Sequence, residues 1–441
     1  MHVCWSLSHL TSYSRACRAQ SERFPYMNFE STGLSKPILT TLQELGYETA
    51  TPIQAQAIAP IMEGRDVVGL AQTGTGKTAA FTLPLLHRVN KSSQGGKHRP
   101  VRVLILSPTR ELAAQIDKSV RDYGGRLPLK STCVVGGVPI KRQINAIRGG
   151  VDFLVATPGR LEDLVSQKAV RLDQVETVVL DEADQMLDIG FMPAIKRILK
   201  LLPKKRQTLL FSATMPKEIK ALSQDHLQNP VEVSVTPVAK TADKIAQSVM
   251  HLPPEGKVNA MTKLAKTHAG KRIIVFARTK RGADKIARKL VSEGVGAEAI
   301  HGNKSQGQRT RTLDAFKKGN TLVLIATDIA ARGIDVRGIE LVVNYDLPHV
   351  AESYVHRIGR TARAGASGLA ISFCTPEEVK LLRAVERLIK IKIPALAADG
   401  SPLQDKDIPQ APRAAKRPEG GGRPNSRNRR RSRPKQRAQA S

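Results

Sequence analysis

Asp66-Val67-Val68-Gly69-Leu70-Ala71-Gln72-Thr73-Gly74-Thr75-Gly76-Lys77-Thr78 is the stretch on which the fold turns. An apolar run of strand length, Asp66–Leu70, ends in a glycine-rich turn, and a helical pattern follows over Ala79–Val89. Strand, turn and helix in that order make a phosphate cradle. Thr73, Gly74, Thr75 and Gly76 let backbone N–H groups wrap an anion, Lys77 reaches the β- and γ-phosphates, and the Thr78 hydroxyl ligates Mg2+. Ala71 stands where the generic pattern has its first glycine. An ordinary glycine turn is the competing reading, and the flanking strand and helix argue against it.

Working outward, short runs of Val, Ile and Leu recur with helical segments between them, as in parallel sheets covered on both faces. In the first half these are Val101–Leu106, Thr132–Val135, Phe153–Ala156, Val175–Leu180 and Thr208–Phe211. A Pro-containing stretch, Asn229–Lys244, separates them from Ile273–Phe276, Ala297–Ile300, Leu322–Ala326, Leu341–Tyr345 and Gly368–Phe373. The predicted fold is therefore α/β, with two tandem parallel-sheet domains over 27–235 and 247–390 joined by a flexible linker at 236–246.

Chemistry-bearing residues sit at the predicted strand ends, where α/β sheets place their ligands. Asp181-Glu182-Ala183-Asp184 follows Val175–Leu180; Asp181 would hold the Mg2+ shell while Glu182 orients and deprotonates an attacking water. Ser212-Ala213-Thr214 follows Thr208–Phe211, and its hydroxyls would relay between the phosphates and a moving part, although a strand-ending turn of this kind is more often a simple cap. The second half has no Gly-Lys-Thr loop, so one triphosphate site per chain is expected. There His356, Arg360 and Arg363 recur at i, i+4 and i+7, one face of a helix. Such a stripe is usually solvated; in a half without its own phosphate loop, it would instead supply arginines to the other half's γ-phosphate.

The chain has 441 residues, 41% of them hydrophobic, enough for two cores, and no apolar run approaches the roughly 18 residues of a membrane helix. Cys4, Cys17, Cys133 and Cys374 are scattered, which favours a reducing cytoplasm over a disulfide or zinc framework. The formal charge of +31 implies a polyanionic partner, and the segment Ala411–Ser441 alone carries +10 of it. With Gly420–Gly422, several prolines and no aromatics, residues 391–441 read as a disordered basic tail that tethers nucleic acid. Residues 1–26 read as a dispensable leader or a misassigned start.

Together these blocks resemble the DEAD-box ATP-dependent RNA helicases of superfamily 2 across about Phe29–Leu388, and the basic end is similar to the bacterial RhlE-like group. The resemblance implies two RecA-like domains, ATP and Mg2+ as cofactors, and RNA bound without regard to sequence. It implies an adenine block, Gly46–Gln54, in which Tyr47 stacks on the base and Gln54 hydrogen-bonds its edge, with Phe29 as the upstream aromatic. It implies RNA contacts at Pro108, Thr109, Arg110, Gly136, Gly137, Thr157, Gly159 and Arg160 in the first domain. In the second it implies Arg278, Gly302, Gln306, Arg309 and Thr327, with Asp335 on the ATP ribose. Ala71 is the family's usual variant of the loop; Ala362 departs, standing where many members have glycine. The expected activity is local separation of short duplexes driven by ATP, in the cytoplasm and away from membranes, with ribosomal precursors or RNA-degradation proteins as partners. Two other readings stay open: a non-catalytic RNA-binding scaffold, and a DNA-directed ATPase on the same frame.

Overall fold

A computed structural model describes residues 27–72, 74–92, 99–235, 245–331, 334, 336, 338–362, 368–397, 401 and 403. The first lobe opens with an antiparallel pair, β1 (Met27–Asn28) and β2 (Thr49–Ala50), with α1 (Lys36–Glu44) between them and α2 (Pro52–Met62) after. Its main sheet comprises β3 (Val67–Leu70), β4 (Val103–Leu106), β5 (Ser131–Val134), β6 (Phe153–Ala156), β7 (Thr177–Leu180), β8 (Gln207–Ser212) and β9 (Val231–Ser234). Its crossovers carry α3 (Lys77–Lys91), α4 (Arg110–Tyr123), α5 (Ile140–Arg148), α6 (Pro158–Ser166), α7 (Ala183–Ile189), α8 (Met192–Leu201) and α9 (Lys217–His226).

The second lobe comprises β10 (Ile245–His251), β11 (Arg272–Phe276), β12 (Ala297–Ile300), β13 (Val323–Ala326), β14 (Ile339–Asn344), β15 (Gly368–Cys374) and β16 (Ala395–Leu396). Around it lie α10 (Gly256–Thr267), α11 (Lys280–Ser292), α12 (Gln306–Lys318), α13 (Asp328–Ala331), α14 (Ala351–Ile358) and α15 (Val379–Ile389).

Both main sheets are parallel throughout, ordered β5-β6-β4-β7-β8-β3-β9 and β12-β13-β11-β14-β15-β10-β16 among the described residues. Counted from its own first strand, each sheet is the same permutation. The α/β expectation of two tandem domains holds. Strands β4, β6, β7 and β8 are buried along their whole length. Val103, Ile105 and Phe153 face one apolar cluster, while Leu104, Leu106 and Leu154 face another across the sheet. Each such side chain contributes about 1.5–3 kcal/mol on leaving water, so continuous apolar runs specify these central strands.

Three readings need correction. The stretch read as a connector contains β9, and β10 takes in Ile245 and Ala246, the last two residues assigned to the linker; 236–244 lie outside the described residues. The tail assigned from 391 begins too early. Ile393 is buried, Ala395–Leu396 pairs with β10, and Leu403 N–H donates to Ala395 O; the leader 1–26 and the segment 404–441 lie outside the described residues. Finally, His356 and Arg360 do not share one helix, because α14 ends at Ile358, is capped by Gly359, and continues as a turn.

Ala362 in that turn has φ 54°, in the left-handed region that favours glycine. The strain there explains the family's preference at a position where this chain departs. Ala362→Gly is expected to raise the unfolding free energy by about 0.5–1 kcal/mol, after the glycine's larger unfolded-state entropy is subtracted. A urea midpoint that falls in the variant would show the turn is relaxed with alanine.

Candidate active site

Sheet order sorts the strand-end loops into two groups. β7, β8 and β3 are neighbours, so the Asp181–Asp184 loop, the Ser212–Thr214 turn and the glycine loop emerge side by side. β5, β6 and β4 are neighbours too, and release Gly136–Gly137, Thr157–Arg160 and Pro108–Arg110. The second lobe repeats the second group: β12, β13 and β11 release Gly302, Thr327 and Arg278.

On the first group, Gly74 and Gly76 adopt φ 90° and 94°, and Gly76 opens α3 at Lys77. A Cβ on Gly76 would lie 2.4 Å from Gln54 Nε2, so both backbone twist and space require glycine. The Gln54 amide is buried; its Nε2 donates to Gly76 O at 3.1 Å and its Oε1 accepts from Thr51 N at 2.9 Å. It therefore clamps the adenine block to the phosphate loop. Tyr47 is 38% exposed and meets Tyr123 edge-on at 6.2 Å, which leaves ring surface open to a base. Phe29 is 3% exposed in the apolar core under α1, and its backbone N–H donates to Glu48 O, next to Tyr47.

Lys77 Nζ and Asp181 Oδ1 are buried without hydrogen-bond partners among the described residues. Burial pushes the Asp181 carboxyl up; the Lys77 ammonium opposes this and Glu182 adds to it. A buried lysine and carboxylate left open beside a glycine cradle fit phosphate oxygens and a divalent cation. Mg2+ is usually bound through one or two carboxylates plus substrate phosphates, and Asp181 would be such a carboxylate. Glu182 sits at φ 53°, ψ 53° as the N-cap of α7, a strained backbone that turns it out of the strand direction. Thr73, Asp335 and Arg363 lie outside the described residues.

Asp184 ties the group together. Its Oδ2 accepts from Ala213 N, Thr214 N and Thr214 Oγ1 at 3.2, 2.9 and 3.0 Å, and its own N–H donates to Ser212 Oγ at 3.2 Å. His356 Nε2 of the second lobe approaches the same oxygen at 3.9 Å. Burial would raise this carboxyl, but His356, Lys77 and the two hydroxyls hold it below the usual carboxylate range. Arg360 is 2% exposed, with Nη1 on Ile334 O at 3.0 Å and Nε on His356 O at 3.3 Å.

On the second group, Arg110 lies against the glycine pair so closely that a Cβ on Gly137 would fall 2.0 Å from its Nη1. Burial lowers the Arg110 pKa, and so do Arg309 and Arg160, with Glu111 opposing. Three guanidiniums so placed attract phosphodiesters. Thr109 caps α4, accepting from Leu112 N at 3.3 Å; Thr157 caps α6; nothing lies within 4 Å of where a Gly159 Cβ would be. Pro108 is buried, Gly302 lies beside Lys280, and the Thr327 carbonyl starts α13. Arg309 crosses between lobes: its Nη2 meets Glu111 Oε2 at 2.7 Å, both side chains nearly buried, and Gln306 Nε2 reaches Glu111 Oε1 at 3.3 Å.

Two residues escaped the sequence reading. Glu111 directly follows Pro108–Arg110, but nothing local marks it, since its partner is 198 residues away. Arg357, between the singled-out His356 and Arg360, is 2% exposed. It pairs with Asp328 at 2.5 and 2.7 Å, donates to Asn344 Oδ1 and Asp346 O, and stacks 5.0 Å above Phe276. Its partners come from three other strand-end segments, so no spacing along α14 hints at it. In the second lobe, the loop after β10 occupies the place of the phosphate loop. There Lys257 Nζ is engaged by Asp346 Oδ1 at 3.1 Å and Glu378 Oε2 at 2.8 Å, and Glu378 also holds Arg278 Nη2 at 2.5 Å.

Residues 51–222 match the DEAD/DEAH box helicase family and residues 256–365 the helicase conserved C-terminal domain. The chain belongs to the DEAD-box family. It is 42% identical over 367 residues to the Bacillus subtilis DEAD-box ATP-dependent RNA helicase CshA, covering 83% of this chain and 73% of that one. Saccharomyces cerevisiae Dbp5 bound to RNA and ADP BeF3 superposes with a TM-score of 0.76 at 32% identity, over 84% of this chain and 96% of that one. A variant of the same yeast protein bound to Nup159, Gle1, IP6 and ADP gives 0.56 at 31% identity, over 83% and 96%.

Proposed function

We infer that the chain is an ATP-dependent RNA helicase that grips RNA without regard to sequence and separates short duplexes locally, turning ATP into ADP and phosphate. One observation carries this reading: the lobes meet at both groups of loops at once, through Asp184–His356 beside the phosphate loop and Glu111–Arg309 among the RNA-facing arginines. ATP and RNA each gain their full contacts only in this arrangement, so each raises the affinity for the other. The higher TM-score to the RNA- and nucleotide-bound relative supports the same placement of the lobes.

Within it, the phosphate loop and Lys77 hold the triphosphate, Tyr47 stacks on the adenine, and Glu182 orients and deprotonates the attacking water. Mg2+, held by the Thr78 hydroxyl and Asp181, would neutralise phosphate charge. Arg360 and Arg363 complete the pocket from the second lobe, and Ser212, Thr214 and His356 transmit the state of the γ-phosphate through Asp184. Arg110, Arg160, the glycine pair and the strand-end loops of the second lobe line a track for one strand, and bending that strand expels its complement. Phosphate loss releases His356 and Arg360, and the lobes part. Domain bounds of 27–235 and 247–390 fit this division once the second is extended to Ile245 at one end and to Leu396 at the other. The setting is the cytoplasm, and the finer RhlE-like placement rests on the basic segment 411–441.

Phosphate release measured with RNA, with DNA of the same sequence, and with neither tests the reading. Strong stimulation by RNA alone is expected. No release would favour a scaffold, and equal stimulation by DNA a DNA-directed ATPase. Truncation before Ala411 should weaken RNA binding and flatten its salt dependence by roughly 0.7 in slope for each phosphate the segment neutralises, with RNA-saturated turnover unchanged. An unaltered slope would remove the tether.

A further inference from the structure

The outer face of α15 carries Lys380, Arg383 and Arg387 at i, i+3 and i+7, all exposed, while Leu382, Val385 and Ile389 on its inner face enter the core. Lys390 and Lys392 follow at the helix end, and these five cations line a surface groove of about 670 Å³ that belongs wholly to the second lobe. Two features set this face apart from ordinary solvated charge. On other helices exposed cations meet a carboxylate one turn away, as Lys118 does with Asp122 and Lys289 with Glu293. Glu386 stands four residues before Lys390, the order that pairs best, yet its Oε1 accepts from Ile393 N–H at 3.0 Å instead. Among the described residues Lys380, Arg383, Arg387 and Lys390 form no ion pair. Lys390 also sits at φ 57°, the left-handed helix end that glycine takes without strain, so a charged side chain is kept there at a backbone cost.

We propose that this groove is a second RNA site, which holds the backbone of RNA lying outside the central track. It flanks the β15-β10-β16 edge of its sheet, whereas the RNA-facing loops leave β12, β13 and β11; β10 is four strand spacings, roughly 20 Å, from β13. Past the groove, Ala395–Leu396 joins β10 and Leu403 N–H is bound back on Ala395 O. The basic segment 411–441 therefore opens no more than about 29 Å of chain from Leu403, and groove and segment can hold one RNA together. No aromatic side chain lines the groove, so its contacts are to phosphates and carry no sequence preference. Since one lobe supplies the whole lining, the grip does not depend on closure. RNA anchored there stays on the protein when phosphate loss parts the lobes, and the track closes again on the same molecule at a high effective concentration.

This inference rests on RNA as the substrate of the chain, and the experiment separates the two ideas. The full-length protein and a full-length variant carrying Lys380→Gln, Arg383→Gln, Arg387→Gln and Lys390→Gln are compared on two RNAs. A uridine hexamer occupies the track alone; a uridine 40-mer reaches both sites. Without nucleotide, the variant should bind the 40-mer about tenfold or more weakly, with a salt dependence shallower by up to about 3 in slope, from 0.7 for each of four phosphates. Phosphate release stimulated by the hexamer should be unchanged, which also reports folding. Arg383→Lys with Arg387→Lys keeps the charge and should hold the 40-mer as the native chain does. If the glutamine variant binds the 40-mer with native affinity and slope, the groove serves a partner other than RNA and the site is overturned. Equal losses on hexamer and 40-mer would overturn it too, as a general field effect. Native protein whose phosphate release answers neither RNA would instead overturn the RNA reading itself.

Discussion

Glu182→Gln should bind ATP with near-native affinity and hydrolyse it about 10²–10⁴-fold more slowly, the range that removing a positioned general base commands. The amide keeps the size and most of the hydrogen bonding of the carboxylate, so the left-handed N-cap at φ 53° and its packing are preserved. What disappears is the proton acceptor for the attacking water. The loss should therefore fall on kcat, while RNA binding in the presence of ATP persists or lengthens, since the γ-phosphate that holds the lobes together is no longer removed. Single-turnover hydrolysis and the lifetime of the RNA complex are the two measurements. Turnover close to native would transfer the general-base role to another group.

Glu111→Ala is expected to uncouple the lobes. It removes one partner of a nearly buried ion pair, which costs about 3–5 kcal/mol when the other charge stays buried. With the lobes apart, water can solvate Arg309, so the loss is felt by the closing equilibrium and not by folding of either lobe. ATP-dependent tightening of RNA should fall by about 10²–10⁴-fold. RNA binding without nucleotide should hold or rise, because Arg110, Arg160 and Arg309 lose their neighbouring carboxylate. That opposite movement separates uncoupling from damage. A variant whose ATP-dependent tightening stays within about twofold of native would show that the pair is incidental.

Much of this architecture was readable because central parallel strands are buried on both faces and leave continuous apolar runs; Val103–Leu106 and Phe153–Ala156 are examples. β10 hid its strand character behind Ala246, Gln247 and Ser248, and Gln247 is accommodated by the Tyr354 hydroxyl at 2.8 Å, a partner 107 residues on. β9 lies at a sheet edge with Glu232 and Ser234 exposed, so its pattern merged into the connector. The same contrast holds at the site. Lys77, Asp181 and Glu182 are marked by local order, strand then loop then helix, which sequence displays directly. The Glu111–Arg309 pair and the burial of Phe29 depend on what folds against them, and no local spacing encodes that. The arginine stripe failed for a smaller reason: Gly359 ends α14 two residues too soon.

The locked lysine of the second lobe has a consequence for timing. Lys257 stands where Lys77 stands in its twin, Asp346 matches Asp181, and Glu378 supplies from within the chain the negative charge a guest would otherwise bring. One copy of the duplicated plan is thus permanently satisfied and the other must be refilled on every stroke. The molecule keeps a single clock, and its second half is built to listen to it.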